Sequence, residues 1–181
     1  MDRRNFLKLA AAGAAAGLGA AALAAAWATL IEPNWPAVEQ IDVTLPRLPA
    51  RLEGLRVAQL SDLHISSYTT AGDIERAAAL AMRQSPDVIV LTGDFIWREV
   101  WQYAEELVEP LRTLRAPLGV YAVLGNHDHW EDAALATRVL AEAGVTLLLN
   151  QAVRLETDAP LWLAGLDDVW ERKHDMAAAL A

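Results

Sequence analysis

From Leu55 onward, short apolar runs alternate with segments of helical pattern, and this alternation constrains the fold more than any other feature of the chain. Strand–helix–strand units repeated three times favour right-handed crossovers, and they predict a largely parallel central sheet with helices packed against it. We therefore expect an α/β fold. The predicted strands are Leu55–Leu60, Asp87–Thr92, Val120–Leu124, Val145–Leu149, Gln151–Glu156 and Leu161–Leu166, with a hairpin among the last three.

Helical patterns fill the connections between the first four strands. The segment Asp73–Gln84 is rich in alanine, and Asp73 is its candidate N-cap. The segment Glu99–Arg115 contains Pro110, which we expect to break or kink the helix. The segment Glu131–Ala143 is followed by a glycine that suits a helix C-cap.

The N-terminal segment, residues 1–31, reads as a targeting sequence. Arg3 and Arg4 precede Leu9–Ile31, a stretch of 23 residues without a charge that is long enough to cross a bilayer. A paired arginine at this place resembles a twin-arginine signal, so we expect the Tat export machinery as a partner. Cleavage after Ala26 or Ala28 and retention as a membrane anchor are both open. Either outcome predicts a protein exported across, or anchored in, the cytoplasmic membrane on its extracytoplasmic face.

Residues 32–54 are expected to form an extended linker. This segment holds four of the eight prolines of the chain, and proline fixes φ and lacks a donor. A short edge strand at Val38–Leu45 is the one regular element considered there. The remaining part, residues 55–181, is the predicted folded domain.

Composition excludes several classes of function. The chain has no cysteine, which removes disulfide frameworks, thiolate zinc sites and cysteine nucleophiles. Its formal net charge is −9, whereas proteins that bind nucleic acid through phosphate contacts are usually basic. We therefore expect no nucleic-acid partner, and histidine and carboxylate chemistry stays open.

Metal-ligand residue types follow three of the predicted strands directly. Because the carboxyl ends of parallel strands meet at one edge of a sheet, these residues are expected to converge there. Each motif alone has a plain reading as turn chemistry, but three such endings in order favour a metal site. The motifs are Ser61-Asp62-Leu63-His64, Thr92-Gly93-Asp94 and Gly125-Asn126-His127-Asp128.

The residue types predict how such a site would work. Aspartate, histidine and asparagine favour Mn, Fe or Zn. Asp62 and His64, two apart in extended backbone, would point the same way and share an ion. Two cations in one site repel, so Asp94 is the expected bridging carboxylate, and Asn126 offers its oxygen to the second ion.

His127 and Asp128 are predicted to be the catalytic pair. His127 would face the substrate, and Asp128 would hold its imidazole in one tautomer. His129 lies next to this pair and is expected to flank the site as a substrate contact.

Other candidates carry alternative readings. Trp97 and Trp101 could line a lipid groove or pack in the core, and Trp130 could border the pocket or pack at a helix start. Asp167 and Asp168 could form a further metal site, but a plain acidic loop is the favoured reading.

Together the three motifs resemble those of the calcineurin-like metallophosphoesterases, whose pattern is Asp-x-His, Gly-Asp and Gly-Asn-His-Asp/Glu. The resemblance covers about residues 55–181, and it includes a bacterial membrane-associated branch with phosphodiesterases and UDP-2,3-diacylglucosamine pyrophosphatases. It implies a layered sandwich fold and a pair of divalent metal ions. It also implies hydrolysis of a phosphodiester or pyrophosphate, lipid-linked in some members, by an activated water.

The family pattern continues with a later histidine and a Gly-His-x-His motif, which this sequence does not contain. The two remaining histidines, His129 and His174, lie outside such a motif. We therefore expect the chain to be the N-terminal portion of a longer phosphoesterase domain. The alternative is a catalytically incomplete fragment or a non-catalytic binding module.

Overall fold

The structure, a computed structural model, describes residues 2–32, 35–98 and 100–181, without the side chains of Val100 and Trp101. It divides into two compact units, one ending at Glu39 and one comprising Gln40–Ala181. Trp101, which the sequence offered as part of a lipid groove, has its side chain outside the described part.

The first unit is dominated by one helix. Helix α1 spans Arg3–Ala26 and continues into a π-helical turn at Trp27–Ile31. By length and composition, Arg3–Ile31 could cross a membrane, and none of it is buried in the protein. A signal sequence has the same properties, so the helix is compatible with either role.

A parallel sheet of four strands forms the centre of the second unit, as predicted. Each strand pairs with its neighbour in chain order, so the spatial order is the same as the sequence order. The strands are β1 (Val57–Leu60), β2 (Val88–Thr92), β3 (Val120–Val123) and β4 (Thr146–Leu147).

Two further strands form the predicted hairpin. Strand β5 (Gln151–Leu155) pairs antiparallel with β6 (Leu161–Gly165) in a separate two-stranded sheet. The end of β6 runs close to the four-stranded sheet, because a Cβ placed at Gly165 would overlap Leu148 and approach Val123 to 3.0 Å. The edge strand considered at residues 38–45 is not formed.

Helices cover one face of the sheet. Consecutive strand order with crossovers of one hand places every connecting helix on the same side. The main core follows from this arrangement, because Ile89, Leu91 and Ala122 of the strands are buried in one cluster with Ile74 and Leu140 of the helices. The helices are α2 (Ala71–Arg83), α3 (Val100–Tyr103), α4 (Val108–Arg112), α5 (Asn126–Glu131), α6 (Ala133–Glu142) and α7 (Met176–Ala179).

The opposite face of the sheet is more open. Val57 on β1 is 56% exposed, and Thr92 at the end of β2 is exposed. On the neighbouring strand β2 the same face is buried, because Val88, the register partner of Val57, is only 2% exposed. This face of the sheet is therefore covered at β2 and open at β1.

Helix boundaries differ from the predicted ones for local reasons. The N-cap of α2 is Thr70, and Asp73 is the third residue of a capping box. The connection between β2 and β3 is divided, with a 3-10 turn at Ala104–Leu107 between α3 and α4. Pro110 lies in the first turn of α4, where a backbone N–H has no helical partner to lose.

Candidate metal centre

The three predicted motifs do meet at the carboxyl edge of the parallel sheet. Asp62 and His64 follow β1, and Asp94 follows β2, with φ values of 55°, 44° and 58°. These left-handed conformations cost a non-glycine residue about 1–2 kcal/mol each. The backbone at Asp62 and His64 is therefore not extended as predicted, and the turn geometry sets the directions of their side chains.

Two glycines allow the ends of β2 and β3 to approach each other. A Cβ at Gly93 would lie 2.5 Å from the backbone nitrogen of Gly125, and Gly93 itself has a φ of +90°. A Cβ at Gly125 would overlap the Asp94 carboxylate. Glycine is required at both positions because backbone atoms, and at Gly125 also the Asp94 carboxylate, lie where a Cβ would be.

Three side chains form a cluster with the donor set of a metal site. The ligand atoms of His64, Asp94 and His127 all lie within 4.8 Å of one another. The Asp94 carboxylate joins the other two, with Oδ2 3.4 Å from Nε2 of His64 and Oδ1 accepting the backbone N–H of His127 at 3.0 Å.

Two atoms of this cluster lack hydrogen-bond partners. Nε2 of His64 and Nδ1 of His127 are buried, and neither makes a hydrogen bond to the described residues, although Nε2 of His64 lies 3.4 Å from the Asp94 carboxylate. A buried polar atom without a partner costs about 1–3 kcal/mol, which a coordinated cation would offset. Two imidazole nitrogens beside a carboxylate are also a donor set that suits Mn, Fe or Zn. The residues present therefore fit a divalent metal ion.

The other predicted ligands line a cleft that includes Asp94. Asp62 and Asn126 are part of the lining of this cleft, whose volume is about 270 Å³. Asp167 and Asp168, from the loop after β6, line the same cleft. Sequence reasoning favoured a plain acidic loop for these two aspartates, and their convergence on the site becomes visible only in the folded chain.

Asp128 has a different set of contacts from the one expected. Its carboxylate is fully buried and accepts four backbone N–H groups, whereas the expected partner was the imidazole of His127. Burial raises the pKa of this carboxyl, and the four hydrogen bonds partly oppose that effect. We therefore revise its role to one of holding backbone in place. The donors are Asp94 and Gly125 to Oδ2 and Phe95 and Ile96 to Oδ1, at 2.9–3.2 Å.

His129 is also placed differently. Its side chain is only 8% exposed, and Nε2 lies 2.7 Å from Oδ1 of Asp167. The predicted substrate contact has no support in this geometry, because the imidazole is engaged with the loop after β6. His174 lies in an exposed segment.

Aromatic rings surround the two histidines of the cluster. The ring of His127 lies 4.9 Å from that of Trp130 and 4.8 Å from that of His64. Trp97 lies 5.9 Å from His64. Trp130 therefore lies beside the histidine cluster, and it is not buried in the core.

The sequence of the region that carries this site matches a known protein family. The model of the calcineurin-like phosphoesterase family matches residues 55–172, which is more than half of the chain. The chain belongs to the calcineurin-like phosphoesterase family. The matched region contains all six strands and each motif residue at the carboxyl edge of the sheet.

Several curated members of the calcineurin-like phosphoesterase family resemble the chain. UDP-2,3-diacylglucosamine pyrophosphatase LpxG of Chlamydia trachomatis is 40% identical over 112 residues, 62% of this chain and 34% of LpxG. Phosphodiesterase YaeI of Escherichia coli is 30% identical over 174 residues, 94% of this chain and 62% of YaeI. A transmembrane protein with metallophosphoesterase domain of Danio rerio is 30% identical over 142 residues, 76% of this chain and 32% of that protein.

The chain thus spans between about one third and two thirds of the length of these relatives. No solved structure matches it significantly. The apolar N-terminal helix, together with a relative whose name states that it is a transmembrane protein, is compatible with membrane association.

Proposed function

We propose that this protein is a metal-dependent phosphoesterase that hydrolyses phosphodiester or pyrophosphate bonds with an activated water. The observation that carries this proposal is the pair of buried imidazole nitrogens that make no hydrogen bond to the described residues and lie beside the Asp94 carboxylate. Relatives with phosphodiesterase and pyrophosphatase activity in their names support the same reaction class.

The proposed metal ligands are the four residues predicted from the sequence. Asp62, His64 and Asp94 would hold one cation, and Asp94 would bridge to a second held by Asn126. Bound there, Mn, Fe or Zn supplies Lewis-acid chemistry that neutralises phosphate charge and makes water a stronger nucleophile near neutral pH.

The chain's own residues then set orientation and proton transfer. His127 is the proposed catalytic residue, placed to stabilise charge on the phosphate or to protonate the leaving oxygen. Its backbone N–H bond to Asp94 fixes it relative to the proposed bridging residue. Asp128 supports this arrangement indirectly, through the backbone of β2 and α5.

A direct assay tests the proposed reaction. The full chain, reconstituted in phosphatidylcholine nanodiscs with Mn²⁺, should release nitrophenolate from bis(4-nitrophenyl) phosphate. Asp94→Asn should lose at least about a hundredfold in rate, because a bridging carboxylate cannot be replaced by a neutral amide. Asp42→Asn is the matched control, since it removes the same charge at an exposed position. Full activity in Asp94→Asn would end the proposal.

His127 needs its own test because its ring also belongs to the metal-ligand cluster. A catalytic His127 predicts that His127→Ala loses turnover while Mn²⁺ still raises the melting temperature. Loss of both turnover and the Mn²⁺-dependent rise in melting temperature would show that His127 is a metal ligand.

The second candidate is a module that binds metal and phosphate without turnover. It is favoured by one observation, since His129 is engaged with Asp167 and His174 is exposed, so neither adds a ligand to the cluster. Stabilisation by Mn²⁺ without any nitrophenolate release would support this candidate.

We also propose export through the Tat machinery and a site of action on the extracytoplasmic face. Support comes from Arg3 and Arg4 directly before the charge-free segment of α1. From the name of LpxG we further propose that the substrate is a lipid-linked nucleotide sugar. The corresponding role would be in lipid A biosynthesis. Replacing both arginines with lysine should keep the protein in the cytoplasm, and unchanged export in cell fractionation would refute Tat dependence.

A further inference from the structure

Beside the proposed metal centre, aromatic rings continue outward to the surface. The ring of Trp130 lies 4.9 Å from His127, and the ring of Trp170 lies 6.5 Å from Trp130. Trp130 is 53% exposed and Trp170 is 76% exposed. A soluble domain seldom exposes neighbouring tryptophans without a binding role, because their burial is worth more than that of other side chains.

Hydrogen bonds within the protein hold the segments that carry both tryptophans. The indole N–H of Trp130 donates to Glu171 at 2.8 Å, which restrains the ring while about half of the residue stays exposed. The loop that carries Trp170 is fastened to α5 by the contact of His129 with Asp167. Such fixed aromatic surfaces lose little conformational entropy when a ligand binds.

The position of these rings relative to the cleft indicates their ligand. Asp167 and Asp168 of the same loop line the cleft with Asp94, so the loop joins the aromatic surface to the proposed phosphate site. A third ring near the histidines, that of Trp97, lies 5.9 Å from His64 and has the Arg98 guanidinium 4.9 Å from its centre. An apolar substituent of a phosphate bound at the proposed site could therefore extend over the exposed rings of Trp130 and Trp170.

We infer that Trp130 and Trp170 form a subsite for an alkyl group esterified to the substrate phosphate. Successive rings are inclined by 64° and 72°, which gives a faceted surface with no parallel slot. A flexible alkyl chain follows such facets, whereas a planar base prefers a parallel face. The inference deepens the proposed function and rests on it.

The test compares two phosphodiesters that differ only in the second ester. The full chain in nanodiscs with Mn²⁺ is assayed on methyl and on hexyl 4-nitrophenyl phosphate. In each, water attacks phosphorus, the bond to the nitrophenyl oxygen breaks, and nitrophenolate leaves with an alkyl phosphate as the other product. We expect kcat/KM for the hexyl ester to be about tenfold higher, since two fully buried methylenes are worth about that factor.

Variants locate the preference on the two tryptophans. Trp170→Ala and Trp130→Ala should bring the hexyl-to-methyl ratio close to one, and Trp170→Phe should keep most of it. Trp162→Ala is the matched control, because Trp162 is 63% exposed on β6 and lies outside the cleft. An unchanged ratio in Trp170→Ala, or an equal loss in Trp162→Ala, overturns the inference. A phenyl ester preferred over hexyl would also overturn the choice of an alkyl group.

A binding measurement separates this inference from the proposed reaction. If neither ester is cleaved, the phosphoesterase proposal fails, and calorimetry with hexyl phosphate and methyl phosphate decides the subsite. Hexyl phosphate should then bind about tenfold more tightly, after subtraction of empty nanodiscs, and Trp170→Ala should remove the difference. Equal binding of both phosphates refutes the subsite.

Discussion

The backbone nitrogen of Asp94 donates a hydrogen bond to Oδ2 of Asp128 at 2.9 Å. The same oxygen accepts the N–H of Gly125 at 2.9 Å, so one carboxylate joins the end of β2 to the start of α5. The spacing between the backbones of Asp94 and Gly125 is therefore held by the side chain of Asp128.

Replacing this carboxylate should destabilise the fold. Asp128→Asn presents an NH₂ group to two buried N–H donors, and we expect the free energy of unfolding to fall by about 3 kcal/mol. Thermal unfolding followed by near-UV circular dichroism measures the change. Asp42→Asn, at an exposed position, should stay within about 0.5 kcal/mol of the wild type. An equally small effect of Asp128→Asn would show that its four hydrogen bonds are dispensable.

Metal binding should stabilise the protein. Mn²⁺ at a hundred times its dissociation constant is expected to add about 2.7 kcal/mol to the free energy of unfolding. Asp94→Asn and His64→Ala should lose most of this gain, because each removes a member of the ligand cluster. A melting temperature that rises equally in wild type and in both variants would place the metal elsewhere.

Gly125 offers a test of the close approach at the sheet edge. Gly125→Ala would drive a methyl group into the Asp94 carboxylate, so we expect both Mn²⁺ affinity and turnover to fall at least about tenfold. Gly72→Ala is the control, since a Cβ there meets only ordinary contacts at 3.8 and 3.9 Å inside α2. That control should raise stability by about 0.5–1 kcal/mol. Normal metal binding in Gly125→Ala would mean that the loops relax easily.

The capping box of α2 should make the free energy of unfolding depend on pH, through Asp73. Side-chain and backbone hydrogen bonds from Thr70, and the charge of Arg76, lower the pKa of Asp73 below its usual 3.8. A carboxyl with a lowered pKa stabilises the fold above its unfolded value, and that contribution is lost as pH falls through the folded pKa. The stability difference between wild type and Asp73→Asn should therefore shrink between about pH 5 and pH 2. A difference that stays constant over that range would contradict the assignment.

Much of this fold could be predicted because its signals are local. The apolar runs ending at Leu60, Thr92 and Leu124 mark three parallel strands to within a few residues. The positions of Asp62, His64 and Asp94 after those strands follow from the same pattern. Such signals need no knowledge of distant contacts.

The unpredicted features depend on residues far apart in the chain. Asp128 bonds to backbone more than thirty positions away, and His129 pairs with Asp167 across 38 positions. The start of α5 directly at Asn126 also escaped prediction, because the third motif reads equally well as a turn. Periodicity does not reveal which carboxylate a folded loop will bury.

The left-handed backbone at Asp62, His64 and Asp94 has a consequence for protein engineering. Glycine tolerates these conformations, so changing any of the three to glycine relieves local strain while deleting a candidate ligand. Selection for heat tolerance alone, carried out without metal, would accumulate such changes. The selected proteins would be thermally stable but would have lost candidate metal ligands. Libraries built on this scaffold should therefore be screened for cation affinity and thermal resistance together.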